Sequence, residues 1–321
     1  MSESSPALAA VPAGAALKIV AGASSHEGNV RPVNEDSYLA RRPCYIVADG
    51  MGGHSLGDVA SQAAVTALNP LVGSDWAERE AVREAIREAR AAIAGLAEAG
   101  QTRAPGTTIT GASVVLENGV PCWYIVNIGD SRTYLWRAGR LQQITVDHSA
   151  RSLHPGSGLP RNIITRAIGA GLHAQAAPDE WLIPIQQGDA ILACSDGLYT
   201  EVPEVDLSEI LTRALGDASG AENVAGAGAG AGAEVATQQL QEIAAKAAAD
   251  LVNAALSNEG KDNVTAVVAL AARLELSAAS SLQDDATLPD PFSEDDTRDD
   301  LEFGFDDTQR ENSSLGGAAN E

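Results

Sequence analysis

Four aspartates in this chain stand where apolar runs begin or stop. Residues 44–48 (CYIVA) run into Asp49-Gly50, residues 123–128 (WYIVNI) into Gly129-Asp130, and residues 191–195 (ILACS) into Asp196-Gly197. Asp262 immediately precedes residues 263–270 (NVTAVVAL). Short runs of this kind, rich in Val, Ile and aromatic residues and bounded by Gly or Asp, read as β-strands. In an antiparallel sheet the start of one strand lies beside the end of its neighbour, so the four carboxylates have a route to one rim. Anions gathered at an apolar sheet end repel one another and lose hydration. Hard divalent cations that prefer oxygen relieve both costs, and magnesium or manganese is the natural choice. One Asp-Gly at a strand end is by itself an ordinary turn; four aspartates at strand ends in one chain make a metal-binding rim the sharper expectation.

The rest of the pattern places these strands in a layered domain. Residues 17–24, 107–116, 120–128, 133–137, 181–185 and 190–195 read as β, as does a closing strand at 264–271, and Asn118-Gly119 is a hairpin signal. Helices are expected over 55–68, stopped by Pro70, and over 76–99, with Glu84 and Glu88 on a wet face. A third is expected over 234–256, where Val235, Leu240, Ile243, Ala247, Leu251 and Ala255 recur at near-helical spacing. Short connections make the sheet largely antiparallel, and helices segregated onto it give an α+β layered sandwich.

Charge narrows the partners. The net charge of -23 argues against nucleic acid and anionic membrane surfaces. Residues 281–321 hold 13 Asp and Glu against Arg298 and Arg310, a net of -11, which leaves -12 for everything before them. Such a segment cannot bury enough apolar surface to offset its ordering entropy, so 277–321 is expected to be a disordered acidic tail. Within it, Leu301, Phe303 and Phe305 offer at most a docking motif, and Thr287, Thr297 and Thr308 are candidate kinase targets. Residues 1–16 are expected to form a flexible arm and 17–276 the catalytic domain, interrupted by an Ala/Gly-rich inserted loop at 216–235. Cys44, Cys122 and Cys194 lie in apolar runs at unmatched spacings, which suits reduced, buried thiols in a cytoplasmic, monomeric protein. No apolar stretch approaches the roughly 20 residues of a membrane span.

Seven elements in order then carry a family resemblance. They are Arg31-Pro-Val-Asn34-Glu35-Asp36-Ser37, Asp49-Gly50-Met51-Gly52-Gly53-His54, Gly106-Thr107-Thr108 and Gly129-Asp130-Ser131-Arg132, followed by Asp147-His148-Ser149 with residues 161–169 (RNIITRAIG), Ser195-Asp196-Gly197-Leu198, and Asp262-Asn263-Val264-Thr265. Over roughly residues 17–272 the chain resembles the protein phosphatase 2C (PPM) family in its short bacterial form. The resemblance implies a four-layer α-β-β-α sandwich with two central, mainly antiparallel sheets, and two Mn2+ or Mg2+ ions at one end of them. It implies that Asp49 bridges both ions, that the Gly50 carbonyl binds one, and that Asp196 and Asp262 hold the other. Glu35 and Asp36 would act directly or through bound waters, and Asp130 with Asp196 would carry a third, weaker ion. A metal-bridging hydroxide would attack phosphoserine or phosphothreonine directly, with Arg31 gripping the phosphate through its planar fork of donors. The implied partners are phosphorylated proteins and a serine/threonine kinase whose work the enzyme opposes. His54 remains open between general acid and a structural role on the following helix.

Two rivals keep part of this reading: a phosphatase-like binding module without turnover, and a metallohydrolase of small phosphate esters. Cysteine-based phosphatase chemistry needs Arg six positions after the thiolate, where this chain has Gly50, Ile128 and Thr200, and no G-x-x-x-x-G-K-[ST] loop is present. Only 11 residues, 150–160, separate Ser149 from Arg161, so the flap beside the site is expected to be a Pro/Gly-rich loop without a helix.

Overall fold

β-Branched runs joined by tight turns produce the strands, and amphipathic or Ala-rich stretches the helices that cover them. The computed structural model describes residues 16–52, 56–96, 104–159, 163–171, 177–225 and 231–275. In chain order the elements are β1 (Ala16–His26), β2 (Asp36–Arg41), β3 (Cys44–Met51), α1 (Gly57–Leu68), α2 (Arg79–Ala94), β4 (Gly106–Thr107), β5 (Ile109–Glu117), β6 (Val120–Ile128), β7 (Arg132–Arg137) and β8 (Arg140–Gln143). There follow α3 (Ala150–Leu153), β9 (Ile168–Gly169), β10 (Asp179–Pro184), β11 (Ala190–Cys194), α4 (Asp196–Tyr199), α5 (Glu204–Ala225), α6 (Ala231–Asn258) and β12 (Val264–Glu275).

One sheet has the order β1-β12-β11-β7-β8, the other β10-β6-β5-β3-β4-β9 with β2 against β3, and every ladder within each sheet is antiparallel. The outer face of the first sheet packs on α5 and α6, through residues such as Leu192, Leu211, Ala247 and Leu251. The outer face of the second packs on α1 and α2, through Ile46, Ala64, Ile86 and Tyr124. The chain is therefore an α-β-β-α sandwich. Alanine lets α6 lie close to its sheet: Ala244, Ala247 and Ala248 are fully buried, and a Cβ on Gly22 of β1 would overlap the Ala245 backbone. Between the sheets the Trp123 indole N–H donates to Asp189 Oδ2 at 3.3 Å, and the Arg137 guanidinium closes on both oxygens of that carboxylate at 2.7 Å.

Several expectations are corrected. The loop expected at 216–235 is largely helix, because α5 continues to Ala225 and α6 begins at Ala231. The anchor of α5 is a stripe of buried residues, Leu207, Ile210, Leu211, Ala214 and Leu215, at i, i+3, i+4 spacing. The flap carries one four-residue turn, short of the two full turns that would overturn a loop-like flap. Ser149 accepts from the Ser152 N–H and caps one turn, α3, before His154-Pro155 stops it. The strand expected over 107–116 breaks at Thr108 into β4 and β5. Helix α2 begins at Arg79 rather than at position 76, since Ala77 bridges to Val115. The tail motifs at 301–305, the threonines at 287, 297 and 308, and the arm up to residue 15 lie outside the described residues.

Candidate active site

Register brings the carboxylates together. Asp36, the first residue of β2, pairs directly with Asp49 near the end of β3. β11 and β12 are antiparallel neighbours, so Asp196, just past the end of β11, and Asp262, just before β12, lie at the same edge. Asp130 follows β6 at the same end of the other sheet. Both backbone polar groups of Asp49 are fixed from β4 and its junction: its N–H donates to Thr108 Oγ1 at 3.0 Å, while the Thr107 hydroxyl and the Thr108 N–H donate to its carbonyl at 2.9 Å. The two threonines thus hold Asp49, beyond the strand-initiating role expected of them.

Electrostatics reports the crowding. Burial, and then the charges of Asp36, Asp196, Asp130 and Asp262, raise the Asp49 carboxyl well above the ordinary carboxylate range. Burial is also the largest cause for Asp36 and Asp196, and each is raised further by neighbouring aspartates. Asp130, only 3% exposed, is pushed up to about 7 by burial and by Asp196. Glu35 is raised by burial and by Asp58 on the first turn of α1. Five carboxyls are thus raised above the ordinary carboxylate range because they share one poorly hydrated rim.

The donor set fits hard divalent cations. Asp36 Oδ1 and Asp130 Oδ1 are buried without a hydrogen-bond partner among the described residues, as oxygens aimed at an ion would be. Yet no three His, Cys, Asp or Glu side chains among the described residues are gathered tightly enough to hold an ion as they stand. Two of them are turned to other partners: Asp262 accepts from Arg31 Nη2 at 2.7 Å, and Asp36 Oδ2 accepts from the Ser195 hydroxyl at 2.7 Å. Arg31 is half-exposed, and its guanidinium faces a carboxylate of the rim. Gly50 donates its N–H to the Glu35 carbonyl at 3.2 Å. His54, Arg161 and Asn162 lie outside the described residues.

A family model described as protein phosphatase 2C matches residues 25–225. The chain belongs to the protein phosphatase 2C family. It is 36% identical over 210 residues to the serine/threonine phosphatase Stp of Listeria monocytogenes, a span of 57% of this chain and 79% of that protein. It is 33% identical over 262 residues to PstP of Mycobacterium tuberculosis, 77% of this chain but 44% of that longer protein. The crystal structure of the PstP catalytic domain in complex with two manganese ions superposes with a TM-score of 0.64 at 30% identity, covering 80% of this chain and all of that one. The protein is accordingly a metal-dependent serine/threonine phosphatase, a hydrolase of phosphoric monoesters. Among the described residues no helix of this phosphatase is long and apolar enough to cross a membrane.

The phosphatase also uses residues to which the sequence assigned no role. The Asn263 amide accepts from the Glu35 N–H at 2.9 Å and donates to the Glu27 and Val33 carbonyls at 3.0 and 2.9 Å, pinning the loop that carries Arg31 and Glu35. Arg132 grips both oxygens of Asp147 at 2.9 and 2.8 Å, a largely buried ion pair beside the rim. Both residues lie inside quoted motifs, which was the available signal; Asp58 had none. Ser195 is fully buried; its hydroxyl serves Asp36 and accepts from the Thr265 N–H at 3.0 Å. Ser195→Ala removes both contacts, leaving the Thr265 side chain as the remaining hydrogen-bond partner of the Asp36 carboxyl, and is expected to cost about 1–3 kcal/mol, read as a lower urea midpoint in chelator.

Proposed function

We propose that this phosphatase hydrolyses phosphoserine and phosphothreonine in proteins with two divalent cations, Mn2+ or Mg2+, and that it opposes a bacterial serine/threonine kinase. The reading rests on one observation above all: five carboxyls on one rim are raised toward protonation, and two of them keep a buried oxygen unpaired. Asp49 is assigned to both ions, the Gly50 carbonyl to one, and Asp196 and Asp262 to the other. Glu35 and Asp36 lie around them directly or through water, and Asp130 with Asp196 is assigned a third, weaker ion. The manganese pair of the PstP catalytic domain supports the stoichiometry by similarity. When bound, such cations would lower the pKa of a water so that it ionises near neutral pH, the chemistry that a direct displacement at phosphorus without a covalent enzyme intermediate would need.

The chain's own residues do the rest. Asp262 holds the Arg31 guanidinium at the mouth of the rim through one nitrogen, which leaves the other donors of its fork for phosphoryl oxygens. Threonine hydroxyls hold the Asp49 backbone, and so keep the carboxylate in place without using its oxygens. Phosphate release from a phosphothreonine peptide tests the reading: turnover with manganese or magnesium and none with chelator is expected. A well-folded, metal-loaded protein inactive on several phosphopeptides would instead be a binding module. Arg31→Lys keeps the charge and loses the fork, so kcat/KM is expected to fall about tenfold to hundredfold, the value of one or two charged hydrogen bonds; a steady-state assay checks it.

A further inference from the structure

His148 has no place in the proposed chemistry, yet it is buried and joined on every side. Its main chain takes both directions: its N–H donates to the Gly129 carbonyl at 2.9 Å, and its carbonyl accepts from the Thr165 N–H at 2.8 Å. Its Nδ1 accepts from the Gly129 N–H at 3.0 Å, and its Nε2 lies 3.0 Å from Asp179 Oδ2. A backbone N–H is only a donor, so Nδ1 is the bare nitrogen and Nε2 carries the proton given to Asp179. One residue therefore binds both polar groups of Gly129, with the Asn127 amide as a second donor to its carbonyl at 3.1 Å.

Gly129 is the hinge on which Asp130 turns. Its φ of +118° lies where side chains are disfavoured, and a Cβ there would strike the Thr108 side chain, the same residue that fixes Asp49. The far side of the imidazole leads away from the rim. Asp179 Oδ1 accepts from Arg166 Nη1 at 2.6 Å, and that arginine also donates to the Ala177 carbonyl at 3.1 Å. Thr165 and Arg166 form the returning limb of the flap, whose outgoing limb starts where the Ala150 N–H donates to the Ile163 carbonyl.

We propose that His148 is a positioning residue for Asp130: its imidazole, held in a single tautomer, sets the Gly129 peptide, aims the Asp130 carboxylate at the rim, and ties that aim to the base of the flap. The proposal rests on the reading of Asp130 as a cation ligand. Two substitutions separate the ring nitrogens. An asparagine amide reaches about as far as Nδ1, so His148→Asn keeps an acceptor for Gly129 and gives up Asp179. A glutamine amide reaches about as far as Nε2, so His148→Gln keeps Asp179 and leaves the Gly129 N–H unpaired.

Manganese binding is followed by the electron paramagnetic resonance of the free ion, alongside the thermal midpoint in chelator. His148→Gln is expected to weaken the weakest manganese site about tenfold, as loss of an outer-shell partner does, and His148→Asn to recover most of that affinity at a similar midpoint. Equal weakening by both, or by neither, overturns the proposal. Asp130→Asn, run beside them, judges the cation reading alone: if it binds as many ions as the wild type, that reading fails. The nitrogen resonances of the wild-type imidazole decide the tautomer whether or not a variant folds. A bare Nδ1 and protonated Nε2 are expected, and the reverse tautomer overturns the proposal.

Discussion

Asp49→Asn is expected to abolish phosphopeptide hydrolysis while leaving the metal-free protein at least as stable as the wild type. Asp49 is the one carboxylate assigned to both cations, and the electrostatic help of such ions is worth several kcal/mol, or about 10^3-fold or more in kcat/KM. Stability should move the other way. Burial and four neighbouring aspartates already hold the Asp49 carboxyl toward its neutral form, and asparagine has nearly the shape of that form. The contacts that place residue 49 are made by its backbone with Thr107 and Thr108, so the substitution does not touch them.

Phosphate release with manganese, paired with thermal unfolding in chelator, checks both halves. A folded variant that retains about a tenth of wild-type turnover or more would remove Asp49 from the centre of the chemistry. A variant that loses activity together with several degrees of thermal midpoint in chelator would show that the carboxylate is structural instead. Manganese should raise the wild-type midpoint strongly and that of the variant little, because only ligands that bind the folded state stabilise it.

The parts of this architecture that a sequence discloses are those set by neighbours in the chain. An apolar run closed by a pairing of Asp and Gly is such a signal, and Asp49, Asp130 and Asp196 stand at strand ends as it implies. The contacts that give those residues their chemistry are set by register instead. Nothing local says that Asp36 faces Asp49 across a ladder, or that Arg31 closes on Asp262, 231 positions away. Helix α5 escaped because glycine and serine at 216–220 read as loop; the buried stripe before them outweighs propensity, which is worth less than about 1 kcal/mol per residue. The flap turn escaped for the opposite reason: one serine cap suffices for a single turn, and composition is blind to it. Asn263 lay in a quoted motif, but its role needs three backbone partners from 228 to 236 positions away.

The same crowding sets a pH dependence with an unusual sign. Most folded proteins hold their carboxylates below the unfolded value and lose stability as acid protonates them. In this protein Asp130 is raised from 3.8 to about 7, and Asp36, Asp49 and Asp196 are raised with it, burial being the largest cause for each. Between about pH 4 and 7 the folded rim therefore holds protons that the unfolded chain has released, and stability in chelator falls as pH rises through that window. For Asp130 alone the loss is on the order of 4 kcal/mol. Glu180, held low by its bond to Arg83, changes stability only on the acid side of the window. Thermal midpoints in chelator are accordingly expected to be higher near pH 5 than near pH 8, and Asp130→Asn should reduce the difference, leaving the share of Asp36, Asp49 and Asp196. Manganese should reverse the slope, since it binds the deprotonated rim and its stabilisation grows as the carboxyls ionise. A midpoint in chelator that rises from pH 5 to pH 8 would mean that these carboxylates are already satisfied within the protein and have no need of cations.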